Sequence, residues 1–189
     1  GLRAAPVPLT AKAAALRAVA AASQSSSTES ATRGVAAPDA WRGFLATGHL
    51  PDGAATADVW SVDESGVLRC RGTPIGYLRT TGTWEDFVLR VRWRWPEGGT
   101  PGNSGVLVRV VGEDRVWPKS VEAQLMSGRA GDFWCIAENI EVPDMEKRRP
   151  KGKNQKWGGQ QGDARRILNL TDDSEKPVGE WNKMVIECR

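Results

Sequence analysis

The sequence is short of the residues that small domains use to staple themselves. Cys70, Cys135 and Cys188 are its only cysteines, too few and too scattered for a zinc site or a disulfide framework. An odd count leaves at least one thiol free. Free cysteine prefers the interior, which favours reading all three as small apolar fillers on strands; one bridge between two of them stays open. An excess of one charge is also lacking. With 26 basic residues against 23 acidic ones, intermixed, the net charge is only +3, so nothing in the balance calls for nucleic acid or an anionic membrane. No apolar run approaches the roughly 20 residues that cross a bilayer. The chain begins at Gly1 rather than Met, which predicts a lost upstream segment and, with it, the loss of any signal peptide.

Residues 1–39 are built from Ala, Ser, Thr and Arg with almost no large apolar side chains. Such a composition buries too little surface to offset its ordering entropy, and the segment reads as a low-complexity tail or linker. LTAKAAALRAVAAA has helical propensity, but Lys12 and Arg17 interrupt it and exclude a secretory apolar region. From Trp41 the composition changes. Aromatics appear, turn residues recur at short intervals, and no long amphipathic helix is visible, so residues 41–189 are expected to form one all-β domain.

The stretch from Trp84 to Gln124 organises that domain. In FVLRVRWRW, Phe87, Leu89, Val91, Trp93 and Trp95 alternate with Val88, Arg90, Arg92 and Arg94, the period of a strand with one buried face. PEGG breaks the run, and NSGVLVRVV resumes it after PGN. A third run, Ser120 to Met126, sets apolar Val121, Ala123 and Leu125 against polar Ser120, Glu122 and Gln124. One face goes to a core and the other carries chemistry. WSVDESGVLRCRG reads as a hairpin with an Asp-Glu-Ser-Gly turn, and IGYLRT, GDFWCI and WNKMVIEC as further strands. Residues 137–176 are polar and rich in turn formers, an expected loop region that covers a site or moves. Its basic cluster, Lys147 to Lys156, reads as a solvated loop. Of the nine tryptophans, Trp60, Trp93, Trp95 and Trp181 are the expected core members.

Together the WSVDESGVLRCRGTPIGYLRT hairpin, the WEDFVLRVRWRW strand, NSGVLVR, VEAQL, GDFW and GEWN resemble the 3-keto-disaccharide hydrolase domain family over about residues 41–189. The resemblance implies a concanavalin A-like jelly-roll β-sandwich of two antiparallel sheets, acting on a carbohydrate or glycoside and usually exported by bacteria to the periplasm or beyond. The family pattern continues past GEWN into further strands, so the chain is expected to be truncated at its C-terminus. Two sheets packed face to face would also account for strands with one core face and one outer face.

If the three central strands pair as neighbours, Arg90, Arg92, Arg94, Arg109, Glu122 and Gln124 share one polar face. Long planar donors, an amide and a carboxylate suit the hydroxyl pairs of a sugar, and Trp117, Trp134 or Trp157 could stack on its apolar side. Glu122 and Arg109 are the catalytic candidates; Gln124, Asn103, Arg92, Arg94, Lys119 and Trp134 are the substrate-binding ones. Retaining sandwich glucanases place acids at i, i+2 and i+5, here Glu122, Gln124 and Ser127, so the two-carboxylate mechanism is not supported. A 3-keto sugar needs only a base and an enolate stabiliser. The family commonly holds a divalent metal with a His after E-x-Q. Met126 follows here, and the only histidine, His49, lies near the start of the domain. Any cation would need oxygen ligands such as Glu122, Gln124 or Asp132, which favours calcium or magnesium. A non-catalytic carbohydrate-binding module and an interaction domain of an exported assembly stand as alternatives.

Overall fold

The computed structural model describes residues 14–21, 45–171 and 174–189. They form an all-β fold of antiparallel sheets, the class to which jelly-roll sandwiches belong. The only helices among the described residues are two four-residue turns, α1 (Thr56–Val59) and α2 (Met145–Arg148). The strands are β1 (Ala14–Ala21), β2 (Leu45–His49), β3 (Trp60–Val62), β4 (Leu68–Cys70), β5 (Tyr77–Thr80), β6 (Phe87–Arg94), β7 (Gly105–Val111), β8 (Lys119–Gln124), β9 (Phe133–Ile136), β10 (Arg166–Ile167) and β11 (Asn182–Cys188). Two compact units divide them, one of Gly102–Glu175 and one of Ala11–Pro101 with Lys176–Arg189.

The second of these units holds a five-stranded sheet in the order β11-β6-β1-β4-β3 and a two-stranded sheet of β2 and β5. The alternation in FVLRVRWRW works as its period demands: Val91, Trp93 and Trp95 are buried, and the Trp93 and Trp95 rings meet edge-on at 5.7 Å. Trp60 and Trp181, expected in the core, are half-buried. The β3–β4 hairpin forms as expected, with Trp60 opposite Cys70. Its turn closes on Asp63, whose Oδ1 accepts from the Ser65 and Val67 amides. Leu68 packs there against Leu45, Trp60, Val62 and Leu78.

Two expectations need correction. Residues 14–21, read as part of a tail, run as a strand between β6 and β4, with Leu16 opposite Trp93 on one side and Leu68 on the other. Composition misled there because a strand can be held by backbone pairing to neighbours on both sides, whatever its intrinsic propensity. The rest of the expected tail lies outside the described residues. The three central strands also do not form one ladder. β6 belongs to the five-stranded sheet, whereas β7 and β8 pair in the other unit. The Pro96-Glu97-Gly98-Gly99 break is a turn that hands the chain from one sheet to another, with Gly98 at φ 69°. Alternation fixes which residues share a side of one strand, not which strand lies beside it.

The Gly102–Glu175 unit holds the sheet β10-β9-β8-β7. Val121, Ala123, Leu125, Cys135 and Ile167 are buried in it, and all three cysteines of the chain are free. The polar stretch 137–176 wraps around Arg149, whose side chain is fully buried. Its Nε donates to the Ala164 carbonyl at 2.8 Å, Nη2 to the Gly158 carbonyl at 2.7 Å, and Nη1 to Asn139 Oδ1 and the Ile140 carbonyl at 2.6 and 3.0 Å. Trp157 Nε1 donates in turn to the Arg149 carbonyl at 2.8 Å. The charge run KRRPKGK therefore hides an internal residue. A buried cation is costly unless its donors are met, and here oxygens from three separate segments meet them. Replacing Arg149 by Met should destabilise the protein by about 3 kcal/mol, because the buried Ala164 and Gly158 carbonyls lose their donor together. Urea unfolding would show it, with amide exchange accelerating first across 157–165.

Candidate functional site

β8 is an inner strand of its sheet and places Glu122 opposite Leu107 on β7 and Trp134 on β9. Gln124 lies opposite Gly105. Directly opposed residues project to the same side, so Glu122, Gln124, Trp134 and Gly105 occupy one face, with Val121 and Ala123 in the core on the other. Two further backbone bonds, Leu125 N to Ser104 O and Ser127 N to Gly102 O, carry the β7–β8 ladder past its first residue. By that register Asn103 joins the Glu122 side. Gly105 is required there, because a Cβ at this position would overlap the Glu122 carboxylate.

Glu122 is only 7% exposed, and no described residue donates a hydrogen bond to its carboxylate. Burial pushes its pKa up to about 7, with the Arg165 guanidinium pulling in the opposite direction. Arg165 stands over the Trp134 ring at 5.2 Å, and Trp134 is the residue directly across from Glu122. A buried carboxyl titrating near neutrality beside a fixed cation is the arrangement expected of a general base. Gln124, also buried, spends its Oε1 on the Leu125 and Met126 amides at 3.1 and 3.0 Å. Its NH2 group donates to no described residue. Asn103 is 7% exposed and its buried Oδ1 has no hydrogen-bond partner among the described residues. One face thus carries three buried polar groups with unused hydrogen-bonding capacity, a condition that a polar ligand or water relieves.

The other sequence candidates fall elsewhere. Arg109 sits at a register shift in β7 with φ 56° and an exposed side chain; the cation acting on Glu122 is Arg165. No motif marked Arg165, which falls in the polar stretch 137–176 read as a loop region. Lys119 pairs with Glu138 at 3.0 Å near solvent. Arg90, Arg92 and Arg94 belong to β6 in the other unit, where Arg92 and Arg94 stack on Trp181 at 5.4 and 4.9 Å. The single polar face uniting them with Glu122 and Gln124 is therefore not formed as one ladder. Of the stacking candidates, Trp157 is engaged by Arg149 and by Lys151 at 5.2 Å, and Trp117 is half-buried. His49 is half-buried at the end of β2.

The oxygen ligands expected for calcium or magnesium do not fit a cation. Asp132 binds Arg166 Nε through Oδ2 at 2.6 Å and accepts from the Asn169 amide through Oδ1 at 2.9 Å. With the Gln124 carbonyl also committed, Glu122 alone is available, and no cluster of three His, Cys, Asp or Glu suited to a metal occurs among the described residues.

Burial of Glu122 makes stability depend on pH in a definite direction. Its folded pKa lies above the unfolded value, so the folded state binds more protons between about 4.5 and 7. The resulting stabilisation is complete below that window and is lost as pH rises through it. Glu122→Gln should therefore be more stable than the parent at pH 8, by on the order of 3 kcal/mol, and nearly equal to it at pH 4.5. Denaturant unfolding at the two pH values checks this; an equal difference at both would contradict it.

A family model described as the 3-keto-alpha-glucoside-1,2-lyase-like domain matches residues 36–189. No curated protein and no solved structure matches the chain. The matched stretch spans β2 to β11 and includes Glu122, Gln124, Asn103 and Arg165. With most of its length so matched and an all-β architecture beneath it, the chain belongs to the 3-keto-alpha-glucoside-1,2-lyase-like family of carbohydrate-active domains.

Proposed function

We propose that this domain cleaves the glycosidic bond of a 3-keto-glucoside by elimination, with Glu122 as the base. The observation that carries the reading is the Glu122 carboxyl itself: buried, without a hydrogen-bond donor among the described residues, and pushed by that burial to a pKa of about 7. A ketone at C3 acidifies the proton on C2. Glu122 takes that proton, the C–H electron pair moves into the C2–C3 bond, and the C3 oxygen becomes an enolate. Collapse of the enolate forms the C1–C2 double bond and expels the glycosidic oxygen from C1. One base and one electrophilic partner suffice, which suits a strand with a single carboxylate and the word lyase in the family description.

Arg165 is the proposed enolate stabiliser, because a guanidinium held over Trp134 is preorganised and cannot act as a competing base. Gln124 and Asn103, each with an unmet polar group, are the proposed contacts to the sugar hydroxyls, and the half-buried Trp134 supports Arg165 from beneath. A carbohydrate-binding module is the second reading, favoured by the absence of a partner acid on β8.

Incubation with 3-keto-glucosides and with the unmodified glucosides, following the released aglycone, separates the two. Cleavage of the keto substrate alone is expected, reduced by about 10²–10⁴-fold in Glu122→Gln. The rate should rise with pH through about 7 and then level as Glu122 ionises. A folded protein that binds either sugar and cleaves neither would support the binding module instead.

A further inference from the structure

The arginines of RVRWRW belong to the unit that does not contain Glu122, and their own surroundings carry a separate reading. β6 and β11 pair so that Arg92 lies opposite Lys183 and Arg90 opposite Val185. All four are exposed, on the side away from buried Val91 and Trp93. Arg92 and Arg94 are held against Trp181, and Arg94 Nη1 also donates to the Gly179 carbonyl at 3.2 Å. Glu187, opposite Val88 at the end of this face, is taken by Arg189 at 2.6 Å. Among the described residues no carboxylate pairs with Arg90, Arg92 or Lys183.

Like charges set directly opposite on adjacent strands destabilise a sheet. This face carries such a pair, flanked by two more cations, along an edge strand. We propose that it binds a carboxylate-bearing glycan, a polyuronate segment, as a second carbohydrate site distinct from Glu122. Guanidinium forks match carboxylates in a bidentate way. Cations recur along β6 at about 6.6–6.8 Å and across to β11 at about 4.8 Å, a two-dimensional array suited to a polymer with an acid on every ring. Stacking on Trp181 restricts Arg92 before the ligand arrives, which lowers the entropic cost of binding. The chemistry favours a glycan over single-stranded nucleic acid. Arg92 and Arg94 cover Trp181, and no other aromatic among the described residues of β6 and β11 on this face offers a base a ring to stack on. One exposed valine is too little apolar surface to enter a lipid bilayer.

Calorimetry of the full chain with a short oligogalacturonate, at low and high salt, tests the proposal. A neutral oligosaccharide of equal length, a DNA duplex and anionic phospholipid vesicles serve as comparators. The uronate should bind and weaken as salt screens the contacts, and Arg92→Gln with Lys183→Gln should weaken it by about tenfold or more. Arg90→Gln, at an exposed position, gives the same readout should the double variant fold poorly. The proposal is overturned by absence of uronate binding at low salt, by affinity unmoved in a folded variant, or by equal affinity for the neutral oligosaccharide, the duplex or the vesicles.

Discussion

A guanidinium with no carboxylate partner among the described residues ties the polar segment around Arg149 to itself within the Gly102–Glu175 unit. Arg149 lies inside a stretch that has one short helix and one two-residue strand, and its donors supply the order that ladders supply elsewhere. The buried carbonyls of Ala164 and Gly158 would otherwise lack a donor, as would the half-buried Ile140 carbonyl. The same contacts fix the backbone immediately before Arg165, whose carbonyl accepts from the Cys135 amide at 2.9 Å. Arg165 is thereby presented to Trp134 and to Glu122. A long polar segment becomes a support for one charge.

Of the buried charged residues, Arg149 and Glu122 have opposite solutions, and the contrast separates structure from function. Arg149 has four oxygen partners and is satisfied. Glu122 has no hydrogen-bond donor among the described residues, and a glycine opposite leaves room for its carboxylate. Evolutionary tolerance of an unsatisfied buried acid is unusual unless its destabilised ionised form serves a purpose. Raising the energy of the anion strengthens it as a base, at the expense of stability above neutrality. Asp132, two residues before Trp134 and equally buried, shows the structural alternative, with both oxygens committed to Arg166 and Asn169.

The strands were legible because alternation is local. Phe87 to Trp95 and Ser120 to Met126 announced their buried sides without any partner strand in view, and Glu122 emerged as the one acid on the polar side of its strand. Pairing was not legible: the Pro96 to Gly99 break reads equally as a hairpin or as a passage between sheets, and that choice decides whether Arg92 and Arg94 share a ladder with Glu122. Arg149 and Arg165 were hidden for a different reason. In the charge run Lys147 to Lys156 every cation reads as solvated, and only the folded chain shows that carbonyls surround Arg149; Arg165 falls in a stretch that reads as loop. Ala14 to Ala21 carries too little side chain to announce a strand, and its pairing through the backbone leaves no pattern in the residues.

The central claim is that the Glu122 carboxyl is held in a desolvated site with Arg165 as its counter-charge, and a carbon-13 NMR titration of that carboxyl tests it most directly. A midpoint near 7 is predicted for the parent, with a higher midpoint in Arg165→Gln because the cation that favours the anion is gone. A midpoint near 4.5, unmoved by Arg165→Gln, would mean that the carboxyl is solvated and would contradict the account.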